Sequence, residues 1–159
     1  MSLSKSAEPS AQTLPPVSRL IVCERSGEWA AALRIELIQS GVKLRECRGL
    51  PDAWTALAET SGAFLVAEAT RENLSELAER LSRLRRDFPL ARAAVVADRG
   101  LAECEWFMRE AGAIHFVTSP RQLQPLAALV VRHLAGVPPP PQSVAEQIWA
   151  SLPWARHTS

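Results

Sequence analysis

The chain has 159 residues, of which 47% are hydrophobic and 22% charged, and this composition predicts a single soluble globular domain with tails. Eighteen basic residues stand against 17 acidic ones, so the net charge gives no sign of nucleic-acid binding. The local basic cluster of Arg80, Arg83, Arg85 and Arg86 is expected to be a solvated helix face offset by Glu76 and Glu79. No run approaches the roughly 18 apolar residues of a membrane span, no apolar stretch near the start is suitable for a signal peptide, and the three cysteines are scattered. We therefore expect a cytoplasmic protein whose partners include neither nucleic acid nor membrane.

Short apolar runs alternate with amphipathic segments along most of the chain. Residues 1–16 are rich in Ser, Ala and Pro and predict a disordered arm. Asn73 and Glu76 resemble a capping box at the start of one helix, and Trp29, Trp54 and Trp106 are expected to pack into the core. The predicted strands are 18–24, 42–47, 63–69, 90–98 and 113–119, and the predicted helices are 26–41, 50–62, 73–89, 101–112 and 119–136.

Five strand–helix units in residues 17–136 predict an α/β domain. Strands and helices that alternate at these lengths form a parallel sheet with helices on both faces. Right-handed crossovers and only five units favour an open, doubly wound sheet over a closed barrel. In such sheets the functional crevice lies beyond the carboxyl ends of the strands, so functional side chains are expected at those ends.

The segment that follows the predicted domain has two parts. Residues 137–142, "VPPPPQ", predict a stiff Pro-rich linker. Residues 143–159 predict a short amphipathic helix and a tail, which dock either on this domain or on a partner. Tryptophan is favoured at binding hot spots, and the fifth helix carries apolar residues beyond those its sheet-facing side needs. The predicted partner-binding residues are Leu129, Val131, Ile148, Trp149, Leu152 and Trp154.

A resemblance to a known family rests on residues 112–120, "GAIHFVTSP". This segment is similar to the "GAxxYLTKP" segment of response-regulator receiver domains at Gly112, Ala113, Thr118 and Pro120, with Phe116 at an aromatic position. Together with the five units, residues 18–136 resemble a receiver domain of the chemotaxis-regulator type. The resemblance implies a flavodoxin-like five-stranded sheet in the order 2-1-3-4-5. It also implies association through the face formed by the fourth helix, the fifth strand and the fifth helix.

The same resemblance implies a phosphotransfer site, but the matching positions do not carry the family's residues. The family has a phosphoacceptor aspartate after the third strand, an acidic pair for Mg²⁺ after the first, a hydroxyl after the fourth and a lysine before the proline of the fifth. A longer side chain at the acceptor position misplaces the carboxylate, and a misplacement on that scale can lower a rate by about 100-fold. The corresponding residues are Glu68, the pair Glu24 and Arg25, Ala97 (followed by Asp98), and Ser119.

These departures predict a degenerate pocket, a pseudo-receiver with no catalytic residue, metal or cofactor. Arg25 places positive charge at the metal position, and Ser119 removes the cation that would neutralise a phosphoryl group. Arg25 and Glu68 would face each other across the crevice, and Arg25 could form an ion pair with a carboxylate there. Alternatively, these charged side chains are simply solvated at the strand ends. The leading hypothesis is a non-enzymatic signalling module that acts by contact with a signalling protein or with a second copy, independently of phosphorylation. A homodimer would form through the fourth helix–fifth strand–fifth helix face or through the tail.

Two alternatives stay open. A divergent response regulator could accept a phosphoryl group on Glu68 or Asp98. A small α/β enzyme or ligand-binding domain could use the acidic crevice that Glu24, Glu68 and Asp98 would form.

Overall fold

The computed structural model describes residues 18–138 and Ile148. The predicted arm, residues 139–142 of the linker, and Trp149, Leu152 and Trp154 lie outside the described residues. The strands are β1 (Leu20–Cys23), β2 (Leu44–Cys47), β3 (Phe64–Ala69), β4 (Arg92–Ala97) and β5 (His115–Val117), and the α-helices are α1 (Glu28–Glu36), α2 (Leu50–Glu59), α3 (Leu74–Asp87), α4 (Glu105–Ala111) and α5 (Gln124–Gly136).

The strands form one parallel sheet in the order β2-β1-β3-β4-β5. This confirms the predicted fold class and strand order. The central strands are apolar along almost their whole length because helices cover both of their faces, and β1 is buried at each of its residues. No helix in the described part of the chain is long and apolar enough to cross a membrane.

Two hydrophobic layers lie on opposite faces of the sheet, because successive side chains of a strand point to opposite sides. In β1, Ile21 and Cys23 join the layer under α2, α3 and α4, whereas Leu20 and Val22 join the layer under α1 and α5. The helices contribute their own buried stripes, such as Leu77, Leu81 and Leu84 of α3. This packing fixes the strand ends, where the candidate site lies.

Three predicted helices are shorter than expected because a 3-10 turn replaces one end. The first α-helix ends at Glu36 and is followed by a 3-10 turn, and the fourth begins at Glu105 after one. The fifth begins at Gln124, where Pro125 in the first turn needs no amide hydrogen bond. The three 3-10 turns are Ile38–Ser40, Arg99–Cys104 and Pro120–Gln122.

The predicted capping box at Asn73 is wrong. The Asn73 side chain does not cap α3; it accepts a hydrogen bond from the backbone N–H of Thr70 and donates one to the carbonyl of Glu68, both at 2.8 Å. Glu76 forms an ion pair with Arg80 one turn along the helix. Asn73 therefore organises the loop between β3 and α3, directly beside the candidate site.

The prediction that Trp106 packs into the core is also wrong. Trp29 is buried and Trp54 is partly buried against the core, but the Trp106 side chain is 72% exposed. The helix α4 has seven residues, and Met108 is its buried residue. A residue two positions from Met108 lies nearly on the opposite side of the helix, so Trp106 points outward.

Candidate degenerate receiver site

The candidate site lies at the carboxyl ends of β1, β3 and β4. Glu24 and Arg25 follow β1, Glu68 is the second-last residue of β3, and Ala97 ends β4. The register places Glu68 beside Val96 of β4, and a hydrogen bond joins Glu68 to the residue after Glu24. The structure therefore brings the predicted residues of β1 and β3 together at one edge of the sheet.

Glu24 is the buried N-terminal cap of α1. Only 2% of this residue is exposed, and its two carboxylate oxygens accept hydrogen bonds from the backbone N–H groups of Trp29 (3.0 Å) and Ala30 (2.6 Å). Gly27 is the residue just before α1 and has no side chain to serve as a cap, so Glu24 satisfies the free amides of the first turn. The helix dipole adds a favourable interaction with the negative charge.

Glu68 and Arg25 contact each other, but not through the guanidinium group. The backbone N–H of Arg25 donates to the Glu68 carboxylate at 3.0 Å, whereas the Arg25 guanidinium forms an ion pair with Glu72 in the loop before α3. Arg25 thus forms an ion pair with a carboxylate, which is Glu72, while Glu68 contacts the Arg25 backbone. The hydrogen bond and charge of Glu72 raise the pKa of Arg25 above its usual value.

Arg48 covers the loop after β1 from the side of β2. Its guanidinium donates to the backbone carbonyl of Arg25 at 3.0 Å and to the carboxylate of Glu46 at 3.2 Å. Glu46 also binds Arg34 at 2.6 Å. Sequence reasoning missed Glu46, Arg48 and Glu72, and no local pattern marks them, because they approach the site from other strand–helix units.

The remaining site positions hold no group arranged for phosphoryl binding. Ala97 is fully buried, whereas Asp98 is exposed at the start of a 3-10 turn. Ser119 is nearly buried, and its hydroxyl accepts a hydrogen bond from the backbone N–H of Arg121 at 3.3 Å. Through this bond Ser119 caps the 3-10 turn that follows β5.

The residues do not fit a Mg²⁺ ion. Glu24 uses both oxygens on helix amides, and the neighbouring position is an arginine. Among residues 18–138 and Ile148, no group of three or more His, Cys, Asp or Glu side chains is placed to hold a metal ion. Mg²⁺ demands near-ideal octahedral oxygen coordination, and the arrangement does not supply it.

Cys23, the residue before Glu24, is a buried structural thiol. Burial, with the nearby Cys47 as the next contribution, raises the pKa of Cys23 to about 12. Burial also raises the pKa of Cys47, its register partner on β2. A thiol needs a lowered pKa to act as a nucleophile near neutral pH, so these cysteines pack rather than react.

The sheet order, the two helical layers and the position of the crevice define the receiver fold of response regulators. A response regulator from Thermotoga maritima is similar to this chain with a TM-score of 0.59 and 20% identity, over 74% of this chain and 97% of that one. A CheY-like protein (tadZ) from Pseudomonas aeruginosa PAO1 is similar with a TM-score of 0.57 and 19% identity, over 77% of this chain and 97% of that one. An atypical orphan response regulator, described as having a phosphorylation-independent regulatory mechanism, is similar with a TM-score of 0.61 and 16% identity. The match covers 76% of this chain and 98% of that one. No family model and no curated protein matches the chain.

The predicted partner-binding residues are distributed between the core and the surface. Val131 is 39% exposed on α5, whereas Leu129 is half-buried and packs against the layer under α1 and α5. Leu129 keeps part of its surface exposed, so its contact with a partner stays a prediction. Ile148 is 55% exposed, and Trp149, Leu152 and Trp154 lie outside the described residues.

Three exposed apolar residues that sequence reasoning did not name as partner-binding lie on α4 and just before β5, on elements of the face that the resemblance implied. Trp106 is 72% exposed, Phe107 43% and Ile114 40%. We call these three residues the α4 strip. The consecutive apolar residues Trp106, Phe107 and Met108 carried a usable signal, because three successive residues span about 200° of a helix and cannot all face inward.

Proposed function

We propose that this protein is a non-enzymatic, receiver-like signalling module of the cytoplasm that acts through protein–protein contacts and independently of phosphorylation. The observation that carries the proposal is the arrangement of Glu24. In this chain the carboxylate at the first metal-binding position of a receiver is buried and is the cap of α1. A metal ion would have to compete with two backbone hydrogen bonds for the oxygens of a nearly inaccessible carboxylate.

The geometry around Glu68 supports the same proposal. Phosphoryl transfer to a carboxylate needs cations to screen the charge of the phosphoryl oxygens. Here the position of the family's lysine is Ser119, and the Arg25 guanidinium is paired with Glu72. Glu68 itself accepts a hydrogen bond from the backbone N–H of Arg25, a contact that needs no ligand.

The decisive experiment incubates the full chain with Mg²⁺ and acetyl phosphate, with an intact response regulator treated in parallel. We expect the intact mass to stay unchanged while the parallel regulator gains one phosphoryl group. In a second sample, beryllofluoride with Mg²⁺ should leave the amide spectrum of Arg25, Glu68 and Asp98 unchanged. A stoichiometric phosphoryl adduct would overturn the proposal, and its loss in either Glu68→Gln or Asp98→Asn would identify the acceptor.

The α4 strip is the surface through which we propose that the module binds a signalling protein or a second copy. Its residues lie on the fourth helix and beside the fifth strand, within the face that receivers commonly use. An exposed Trp is costly in water and is enriched at the centres of protein interfaces. Val131 on α5 and the segment that contains Ile148 are further candidates for the same surface.

A further inference from the structure

A basic pocket lies at the opposite end of the sheet from Glu68. It has a volume of about 290 Å³ and is formed where the end of α3, the start of β4, the end of α4 and the residues before β5 meet. Its charged lining residues are Arg85, Arg92 and Arg109, and no carboxylate of the described residues lines it. We call it the arginine pocket.

Backbone carbonyls hold two of these guanidinium groups in place. Arg92 donates through Nη1 to the carbonyls of Pro89 (2.9 Å) and Ala91 (2.7 Å). Arg109 donates through Nη1 to the carbonyl of Ile114 (3.2 Å) and through Nε to Glu105 (2.9 Å). Each arginine keeps further N–H donors beyond these bonds, because a guanidinium group has five.

The positive charge of the pocket is mostly uncompensated. Glu105 neutralises Arg109, but within the described residues neither Arg85 nor Arg92 forms an ion pair with a carboxylate. Two histidines at this end of the sheet are consistent with a positive field. The pKa of His115 is lowered mainly by burial and then by Arg109, and the pKa of His133 is lowered mainly by burial, with smaller effects from Arg92 and Arg19.

The helix terminus does not by itself account for Arg85. Arg85 and Arg86 both lie in the last turn of α3, where the helix dipole favours cations. Arg86 forms an ion pair with Asp87 and does not line the pocket, whereas Arg85 lines the pocket and has no such partner among the residues that the structure describes. Both arginines therefore interact with the helix dipole, but only Arg85 lines the pocket.

We propose that the arginine pocket binds the phosphate group of a small phosphate monoester. Planar guanidinium groups bind phosphate oxygens through two parallel hydrogen bonds, and a dianion offsets the repulsion among the arginines. The pocket approaches the lower end of the size range of small-molecule sites. Its remaining walls include the buried apolar residues Leu84, Ala91 and Ala113, which suit the organic part of such a ligand.

The test measures binding of adenosine 5′-monophosphate, inorganic phosphate and adenosine to the full chain by amide chemical shifts. Adenosine monophosphate and inorganic phosphate should shift the amides of Gly112, Ala113 and Ile114, and adenosine should not. Arg85→Gln should weaken binding by about tenfold, which is the scale of one charge-assisted hydrogen bond. Arg86→Gln, which removes an equal charge from the adjacent position outside the pocket, should leave the affinity within about twofold of the original.

Three results would overturn the proposal. The first is an absence of shifts at the pocket with both phosphate compounds at millimolar concentration. The second is an equal loss of affinity in Arg85→Gln and Arg86→Gln, which would reduce the effect to general surface charge. The third is tighter binding of a short poly-glutamate peptide than of adenosine monophosphate, which would assign the pocket to an acidic protein segment. Because the pocket lies far along the strands from Glu68, all three outcomes are independent of the phosphorylation test.

Discussion

At the scale of single residues, Glu24 determines what the crevice can do. A carboxylate that follows β1 can point into the crevice, where it would bind a cation, or back toward the next helix. In this chain it points back, because Gly27 provides no cap and the amides of Trp29 and Ala30 need an acceptor. The negative charge of Glu24 therefore stabilises the first turn of α1.

We expect Glu24→Ala to lower the free energy of unfolding by about 2 kcal/mol, because two buried amide N–H groups lose their acceptor. Glu24→Gln should cost less, since its amide oxygen can still accept one of the two hydrogen bonds. Urea denaturation followed by circular dichroism measures both changes. Mg²⁺ added at millimolar concentration should shift neither the original midpoint nor that of the variants.

Arg25→Ala provides the matched control at the adjacent position. The Arg25–Glu72 ion pair is exposed on both sides, at 61% and 76% of the two side chains, and exposed pairs contribute little to stability. The hydrogen bond to Glu68 comes from the backbone N–H of Arg25, so the substitution leaves it intact. Arg25→Ala should therefore shift the urea midpoint much less than Glu24→Ala. A loss as large as that of Glu24→Ala would show that the exposed charges, rather than the cap, stabilise this end of the sheet.

At the scale of elements, the end of α5 is fixed to the start of β3. Arg19 donates to the carbonyls of Leu134 and Val137, both at 3.4 Å, and Nε2 of His133 bonds to the carbonyl of Gly62 at 2.9 Å. His133 also packs edge-on against Phe64, with ring centroids 5.5 Å apart. These contacts close the helix C-terminus, where free carbonyl groups need donors.

The close approach of the end of α5 leaves no space for a side chain at Gly62. Its φ is +70°, and a Cβ atom there would lie 2.2 Å from Cγ1 of Val137. Gly41 has nearly the same φ, +68°, but a Cβ atom there would meet no atom of the described residues within 4 Å. Gly41→Ala should thus report the backbone strain alone, about 1 kcal/mol, whereas Gly62→Ala should cost at least about twice as much.

The double variant Gly62→Ala/Val137→Ala separates strain from collision. Removal of the Val137 methyl groups should recover part of the stability that Gly62→Ala loses. Thermal or urea unfolding of the original chain, the two single variants and the double variant forms a double-mutant cycle. Equal losses in Gly41→Ala and Gly62→Ala would contradict the close contact between α5 and the loop before β3.

His133 makes this contact sensitive to pH. Its pKa is lowered from the usual 6.5, mainly by burial, so the unfolded chain binds more protons than the folded chain between the two values. The contribution of His133 to stability is therefore fully present above the pKa that it has in the unfolded chain. This contribution is lost as the pH drops toward the lower pKa that His133 has in the folded chain. We expect the urea midpoint to fall between about pH 7.5 and about pH 5.5, and to fall less in His133→Gln. His115→Gln is the companion variant, because the pKa of His115 is also lowered; a pH dependence unchanged in both variants would contradict this origin.

The elements could be predicted from the sequence, whereas the contacts between them could not. Mostly apolar runs such as Phe64–Ala69 and the leucine stripe of α3 report local burial, and they predicted the order of the strands and helices, with helix ends displaced where a 3-10 turn replaces them. The position of Glu68 followed from the end of β3. The partner of the Arg25 guanidinium did not, because it is Glu72, which belongs to another strand–helix unit. The predicted capping box at Asn73 was wrong for a related reason, since the side-chain amide of Asn73 binds the loop before α3 instead of the helix.

At the scale of the whole molecule, the two ends of the sheet carry different chemistry. The carboxyl end holds Glu24, Glu68 and Asp98; Glu24 caps a helix and Glu68 is bound to the backbone. The amino end holds the arginine pocket. Of the α4 strip, Trp106 and Phe107 lie on α4, whereas Ile114 also lines the arginine pocket at the amino end.

We expect the chain to self-associate through the α4 strip, and Trp106 provides the sharpest test. A largely exposed Trp gains a large apolar contact on association, and its removal typically weakens an interface by tenfold or more, about 1.4 kcal/mol or above. Trp106→Ala should therefore raise the dimer dissociation constant about tenfold in sedimentation equilibrium. It should leave the urea midpoint unchanged, since Met108 and not Trp106 fills the core.

Ile38→Ala is the matched control, because Ile38 is 76% exposed next to α1, in the opposite helical layer. This substitution should leave the dissociation constant unchanged. A chain that stays monomeric at all concentrations, or that weakens equally in both variants, would contradict self-association through this strip, and would leave binding of a different signalling protein as its remaining use.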